Sequence, residues 1–94
     1  MASQERSLQD LTSVGPAIAR DFDLLGIRSV AQLSRRNPEK LYERLCEITG
    51  AAQDICCLDV FRAAVAQARN PRLPAAQREW WYWSRRRKER NGRH

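Results

Sequence analysis

Residues 11–19 read LTSVGPAIA and place a glycine and a proline between two short amphipathic segments. Gly15 suits a tight turn that needs a positive φ angle, and Pro16 suits the first position of a helix, where its missing N–H costs nothing. We therefore expect a helix to begin at Pro16. The free N–H groups of Ala17 and Ile18 would then lie at the positive end of the helix dipole, where an anionic oxygen could bind.

The rest of the chain has apolar residues at helical spacing and shows no strand pattern. The expected helices are a brief one after Ser7, one from Pro16 to about Leu25, a short one after Ser29, one from Asn37 to Gly50 and one from Asp54 to about Arg69. Prolines at 71 and 74 then break the helical pattern. The sequence predicts an all-α fold, a compact bundle of about five short helices followed by a basic C-terminal tail.

Two faces are predicted in more detail. Leu41, Leu45 and Ile48 form the expected buried stripe of the fourth helix, whose charged residues would lie on solvated surface. The last helix is apolar around most of its circumference, which is typical of a central helix. We expect Asp59 on its polar stripe, where it can pair with Arg62 three residues later.

The length and charge describe a single small domain whose basic residues are concentrated at one end. The 94 residues are enough for one core, and the net charge is +6. Residues 78–94 contain seven Lys or Arg and two Glu, whereas residues 1–77 contain ten and nine, so the excess lies almost wholly in the tail. General attraction for an anionic partner such as nucleic acid is therefore expected mostly from the last seventeen residues.

Neither a membrane span nor a leader peptide is evident, which predicts a soluble, cytoplasmic protein. The three cysteines, Cys46, Cys56 and Cys57, are expected to be reduced thiols that fill space as small apolar side chains. Zinc would need a fourth ligand, and the only histidine is His94 at the terminus. We expect no metal and no cofactor.

The turn resembles the hairpin of the helix-hairpin-helix motif, which combines glycines around a hydrophobic residue with a following alanine. The positions that match are Leu11, Val14, Gly15, Pro16 and Ala19. Ser13 stands where the motif has its first glycine, and Ala17 stands where many members carry lysine, which leaves Arg20 as the nearest cation. The resemblance implies phosphate binding without sequence specificity by Ser13, Val14, Gly15, Ala17, Ile18 and Arg20.

A longer resemblance covers nearly the whole chain. The residues that carry it include Leu25-Gly26-Ile27, Ser29-Val30, Pro38-Glu39, Leu41 to Cys46, Gly50, Asp54, Cys56, Leu58, Val60-Phe61-Arg62, Ala64-Val65, Ala68, Trp80-Trp81 and Trp83. This set is similar to the small helix-hairpin-helix proteins of the pathogenicity-locus family, also named mitomycin-resistance proteins. The resemblance implies a bacterial protein with a degenerate second hairpin, formed by the helix ending near Ile48 and the helix from Asp54.

The C-terminal segment, residues 78–94, is predicted to lie apart from a helix-hairpin-helix domain of residues 1–77, with disorder from about residue 84. Its rings, Trp80 to Trp83, could stack on bases, or Trp80 or Trp81 with Trp83 could dock on the bundle; the family pattern favours docking. The following cations would serve as a nucleic-acid arm or remain a solvated end. They are Arg85, Arg86, Arg87, Lys88 and Arg90.

Two functions remain open at this point. The first is non-sequence-specific DNA binding, in which the hairpin contacts backbone phosphates and the arginine tail adds affinity. The second is an adaptor role, in which the hairpin only connects helices and the aromatic and basic tail binds an acidic protein partner. The sequence has no catalytic pair or nucleotide loop, so we expect no enzyme. The oligomeric state is left open.

Overall fold

Five α-helices and two single-turn 3₁₀ helices make up the structure, a computed structural model that describes residues 7–91. The helices are α1 (Pro16–Leu24), α2 (Val30–Ser34), α3 (Pro38–Thr49), α4 (Ile55–Arg69) and α5 (Trp80–Asn91), and the 3₁₀ helices are Leu8–Asp10 and Ala75–Arg78. No strand occurs within the described range. The fold is therefore all-α, as predicted, and no helix of residues 7–91 is long and apolar enough to cross a membrane.

Local capping explains why these helices begin and end where they do. The side chains of Ser29, Asn37 and Asp54 accept hydrogen bonds from backbone N–H groups in the first turns of α2, α3 and α4. Gly50 ends α3 with a left-handed φ of 69°, a conformation that glycine adopts without steric cost. The predictions for these three starts and for the end of α3 are confirmed.

Helix α4 lies at the centre and contacts α2, α3 and α5. Phe61 on α4 is fully buried and stacks on Phe22 of α1, with ring centroids 5.3 Å apart. Leu41 and Leu45 of α3 are also buried, but Ile48 is 39% exposed and lines a surface hollow beside Leu25. The predicted stripe of α3 is thus wrong in its last member, because Ile48 lies at the rim of the core.

The turn before α1 differs from the expectation in one backbone angle. Gly15 has an extended backbone, with φ −90° and ψ −173°, and Ser13 has the positive φ, 75°. The prediction of a positive φ at Gly15 is wrong, because Gly15 serves as the N-cap of α1, a position that requires extended backbone. The helix itself begins at Pro16, as predicted.

The C-terminal segment is part of the bundle, contrary to the prediction of a separate tail that is disordered from about residue 84. Helix α5 continues to Asn91 and packs along α4. Ser84 is buried, and Arg87 is paired with a buried carboxylate on α4. Ser84 and Arg87 lie four and seven residues after Trp80, the first residue of α5, and they form the side of the basic helix that packs on α4. His94 and the rest of residues 92–94 lie outside the described residues.

Candidate functional site

The turn presents backbone donors at the surface. Gly15 and Ala17 are exposed and Ile18 is half-buried; within residues 7–91 the N–H groups of all three have no acceptor. They lie at the N-terminus of the nine-residue helix α1, where the helix dipole is positive. A Cβ built on Gly15 would meet no heavy atom within 4 Å. The arrangement can accept an anionic oxygen.

Two predicted members of this site have structural roles instead. The side chain of Val14 is buried in the core, and its N–H donates to the carbonyl of Leu11 at 3.2 Å. The hydroxyl of Ser13 accepts the N–H of Trp80 at 3.2 Å and lies 3.5 Å from the carbonyl of Arg78. Val14 and Ser13 therefore hold the turn in place, and the free backbone N–H groups belong to the residues that follow them.

Arg20 is the predicted cation of the site. It is exposed and lines a shallow hollow with Pro16, Asp23 and Arg28. Burial raises the pKa of Asp21, and the positive charge of the adjacent Arg20 lowers it in part. Arg20 thus adds a positive charge beside the first residue of α1, although acidic neighbours partly offset that charge.

A buried glutamine connects the turn to α4 and to the C-terminal segment. Gln67 accepts the N–H of Thr12 at 2.8 Å and donates to the carbonyls of Thr12, at 2.9 Å, and Arg78, at 3.3 Å. Its side chain thereby joins segments that are 55 and 11 residues away along the chain. Sequence reasoning missed Gln67, for which the only signal was a lone amide within a helix of mostly apolar residues.

The exposed cations of α5 occupy two sides of the helix. Trp81, Arg85 and Lys88 follow at spacings of four and three, and with Trp80 they border a shallow surface near Cys56; we call this surface the first flank. Trp80 and Trp81 are 39% and 41% exposed, and the guanidinium of Arg85 lies 5.0 Å from the centre of the Trp81 ring. This spacing keeps a ring and two cations together on one side.

On the opposite side, Trp83, Arg86 and Arg90 border a cleft between α5, α4 and the start of α3. Arg86 and Arg90 are exposed, whereas Trp83 is half-buried and its indole N–H donates to the carbonyl of Gln77 at 2.8 Å. The prediction of docking by Trp80 or Trp81 with Trp83 is thus only partly matched, since Trp83 is the more buried ring and the other two remain exposed.

Arg87 is not available as a free cation. Its Nε and Nη2 atoms donate to the carboxylate of Asp59, with the shortest contact at 2.9 Å, and Asp59 is completely buried. These hydrogen bonds raise the pKa of Arg87 further. The expected pair of Asp59 and Arg62 is wrong: Asp59 faces α5, and Arg62 instead pairs with Glu39 at 2.6 Å.

The cysteines are free and half-buried. Burial raises the pKa of the Cys57 thiol to about 12 and also raises the pKa of Cys56. A raised pKa keeps a thiol protonated at neutral pH, which disfavours nucleophilic chemistry. No group of three or more His, Cys, Asp or Glu side chains that could hold a metal occurs in the described part of the chain.

Comparison with known proteins identifies a family and a similar protein. The model of the pathogenicity-locus family matches residues 2–89. The chain is also 41% identical over 87 residues to the mitomycin resistance protein McrB of Streptomyces lavendulae, an alignment that covers 93% of this chain and 79% of the relative. No solved structure matches. The family match extends over the turn, the core helix α4 and nearly all of α5, and the chain therefore belongs to the pathogenicity-locus family.

Proposed function

We propose that the protein binds DNA without sequence specificity, and that residues 8–24 act as a helix-hairpin-helix phosphate site. One observation carries the proposal. The hydrogen bond between the Ser13 hydroxyl and the Trp80 N–H places the start of the first flank beside the turn whose backbone donors are free. A strand held at the turn would therefore meet rings and cations within the same region of the surface.

The parts have complementary roles in this proposal. The N–H groups of Gly15, Ala17 and Ile18 bind one phosphate, and Arg20 adds charge beside it. Arg85 and Lys88 attract neighbouring phosphates, and the exposed ring of Trp81 offers a face for an unpaired base. Each of these contacts recognises groups common to all sequences, so the proposal is one of binding without base readout, and of binding rather than catalysis. Its compartment is the cytoplasm, where bacterial DNA lies.

Binding to labelled duplex and single-stranded DNA of two unrelated sequences, followed by fluorescence anisotropy, tests this function. We expect dissociation constants of about 10⁻⁴ to 10⁻⁶ M near physiological salt, similar for both sequences. The logarithm of the affinity should fall linearly with the logarithm of salt concentration, by about 0.9 per phosphate contacted on a duplex. Absence of association with either form of DNA at low salt would contradict the proposal.

Deleting residues 78–94 is a poor test, because α5 packs on α4 and Arg87 neutralises the buried Asp59. Two charge-matched pairs are better. Arg85→Ala with Lys88→Ala alters the first flank, and Arg86→Ala with Arg90→Ala alters the opposite side of α5. Both remove two positive charges, and we expect the first pair to weaken the binding of duplex DNA and reduce its salt slope more than the second.

A second function, binding of an acidic protein partner through the first flank, is supported by the exposure of Trp80 and Trp81 next to Arg85 and Lys88. Exposed tryptophans beside cations are typical of protein interfaces as well. If the protein is an adaptor, it should not associate with DNA, and the turn before α1 should bind no ligand and only connect helices. The anisotropy experiment at low salt therefore separates the two functions.

A further inference from the structure

The cleft between α3, α4 and α5 has an arginine-rich border that the proposed DNA contacts do not use. Its volume is about 360 Å³. The guanidinium-bearing residues that line it are Arg62 and Arg69 from α4 and Arg86, Arg87 and Arg90 from α5. Five positive charges from two helices thus converge on one recess of the surface.

Two of these five charges are neutralised by partners within the protein. Glu39 accepts two hydrogen bonds from Arg62, and Asp59 neutralises Arg87. Burial pushes the pKa of Glu39 upward, but the hydrogen bonds from Arg62, a backbone hydrogen bond and the charges of Arg62 and Arg90 together outweigh it, so the pKa is lower than usual and Glu39 remains charged at neutral pH. Among residues 7–91, the other three arginines, Arg69, Arg86 and Arg90, form no ion pair within 4 Å, although the charge of Arg90 also helps to lower the pKa of Glu39.

The three arginines without an ion pair differ in how they are held. Arg69 donates to the carbonyls of Ser34 and Arg36, both at 3.0 Å, which fixes its guanidinium at the end of α2 without cancelling its charge. Arg86 lies 3.4 Å from the hydroxyl of Tyr82, and its guanidinium lies 5.7 Å and 6.0 Å from the ring centres of Tyr82 and Trp83. Arg86 and Arg90 are exposed and can therefore turn toward a ligand. Arginine forks bind carboxylate and phosphate oxygens in pairs, and a phosphate, which has more acceptor oxygens than a carboxylate, suits a cleft bordered by three such arginines.

Part of the lining of the cleft is apolar. Pro38, Val65 and Ala66 line it together with the ring of Trp83. The hydrogen bond from the Trp83 indole to the Gln77 carbonyl fixes the orientation of this ring. An inorganic ion would leave these surfaces unused, whereas a flat heterocycle could stack on the indole. A volume of about 360 Å³ lies at the small end of the range for ligand sites, roughly 300 to 1,000 Å³, and suits a single nucleotide.

We propose that this cleft binds one nucleoside phosphate, with the base against Trp83 and the phosphates between Arg69, Arg86 and Arg90. The nucleotide could be free or an unpaired nucleotide of a single strand, since both offer the same base and phosphate. The site lies across α5 from the first flank and does not depend on the turn before α1. Nucleotide binding can therefore be tested in the absence of DNA.

The test is calorimetric titration of the full chain with ATP, adenosine and tripolyphosphate near 0.15 M salt. We expect ATP to bind about tenfold or more tightly than either fragment, because only ATP uses both the ring and the arginines. Arg86→Ala with Arg90→Ala should weaken ATP binding by about tenfold or more, since it removes two charge-assisted phosphate contacts. The charge-matched Arg85→Ala with Lys88→Ala should change it by less than about threefold.

NMR spectra of the backbone amides and of the tryptophan indoles locate the bound ligand. On addition of ATP we expect shifts at Val65, Ala66 and the indole of Trp83, with little change at Gly15 and Ala17. A pentanucleotide that shifts the same signals at a lower concentration than ATP would assign the source as a strand, and the reverse order would assign it as a free nucleotide. Absence of these shifts with ATP would overturn the proposal. The proposal would be overturned by an equal loss of ATP affinity in both double variants. Tripolyphosphate binding as tight as ATP binding, or shifts confined to the turn before α1, would overturn it as well.

Discussion

Asp59 and Arg87 form the contact that fixes the last helix to the core: a completely buried carboxylate on α4 receives the guanidinium of an arginine on α5 at 2.9 Å. Arg87 also lies 3.4 Å from the hydroxyl of Ser84, which is buried one turn earlier. The pair explains why a segment rich in arginine packs along α4, because Arg87 neutralises the buried carboxylate of Asp59.

Removing one member of this pair should be costly, because the other remains as an uncompensated charge. We expect Asp59→Ala and Arg87→Ala each to lower the free energy of unfolding by about 3 to 5 kcal/mol, as is typical of broken buried pairs. Urea unfolding followed by tryptophan fluorescence measures this. Arg86→Ala, an exposed neighbour with the same change in charge, serves as the control and should change stability by less than about 0.5 kcal/mol. Equal effects at positions 86 and 87 would show that the pair contributes nothing specific.

Ser13 combines a strained backbone with a useful hydroxyl. Ser13→Ala loses the contact to Trp80 but keeps the positive φ of 75°, so it should be destabilising by roughly 1 kcal/mol. Ser13→Gly loses the same contact but relieves the backbone strain, and it should be about 1 kcal/mol more stable than the alanine variant. Chemical unfolding of both variants decides this, and an alanine variant as stable as the glycine variant would contradict the assigned geometry.

Gln67 should couple the turn before α1 to the start of α5. Gln67→Leu leaves the N–H of Thr12 without its acceptor, and an unsatisfied buried group costs about 1 to 3 kcal/mol. We also expect faster hydrogen exchange at the Thr12 amide. Gln77→Leu is the control, because the contact of Gln77 with Trp83 uses its backbone carbonyl. Unchanged exchange at Thr12 in the Gln67 variant would refute this coupling.

The raised pKa of Cys57 makes stability depend on alkaline pH. The folded protein holds this thiol at a pKa of about 12 against an ordinary value of 9.0, so the neutral form favours folding. That contribution is complete below pH 9 and declines as pH rises from 9 toward 12, because the unfolded chain then loses the proton first. Thermal unfolding at neutral pH and at pH 10 should show a steeper decline for the native sequence than for Cys57→Ala. Parallel declines would contradict this prediction.

Local signals predicted most of the helices, and long-range contacts account for the errors. Ser29, Asn37 and Asp54 cap helices within three residues of themselves, so the sequence contains all the information that their positions need. The partner of Asp59 lies 28 residues away on α5. A spacing rule within one helix could only suggest Arg62, which is instead held by Glu39 from 23 residues earlier in the chain.

In the candidate site, too, local features could be predicted from the sequence and long-range contacts could not. The start of α1 and its free N–H groups follow from Gly15 and Pro16 alone. The contact of Ser13 with Trp80 joins residues 67 positions apart, and no local pattern indicates it. The five cations of α5 are visible in the sequence, but the sides of the helix on which they lie are not. Packing at Ser84 and Arg87 decides which cations face the first flank and which face the cleft.

We propose that the N-terminus of α1 holds a phosphate, and the sharpest test of this site is the variant Gly15→Asp. The backbone of Gly15 already has N-cap geometry, and a Cβ there meets no other atom. An aspartate would accept the free N–H groups itself, so stability should stay the same or rise by a few tenths of a kcal/mol. It would also occupy the phosphate site. Ala31→Asp, in the first turn of α2, makes the same change in charge at an exposed position away from the turn.

The measurement is the dissociation constant of both variants for one duplex and one single strand at equal salt, with unfolding curves recorded on the same samples. We expect Gly15→Asp to bind DNA about tenfold more weakly than Ala31→Asp while unfolding at the same or higher urea concentration. A folded Gly15→Asp that binds DNA as tightly as Ala31→Asp would contradict a phosphate site at this helix.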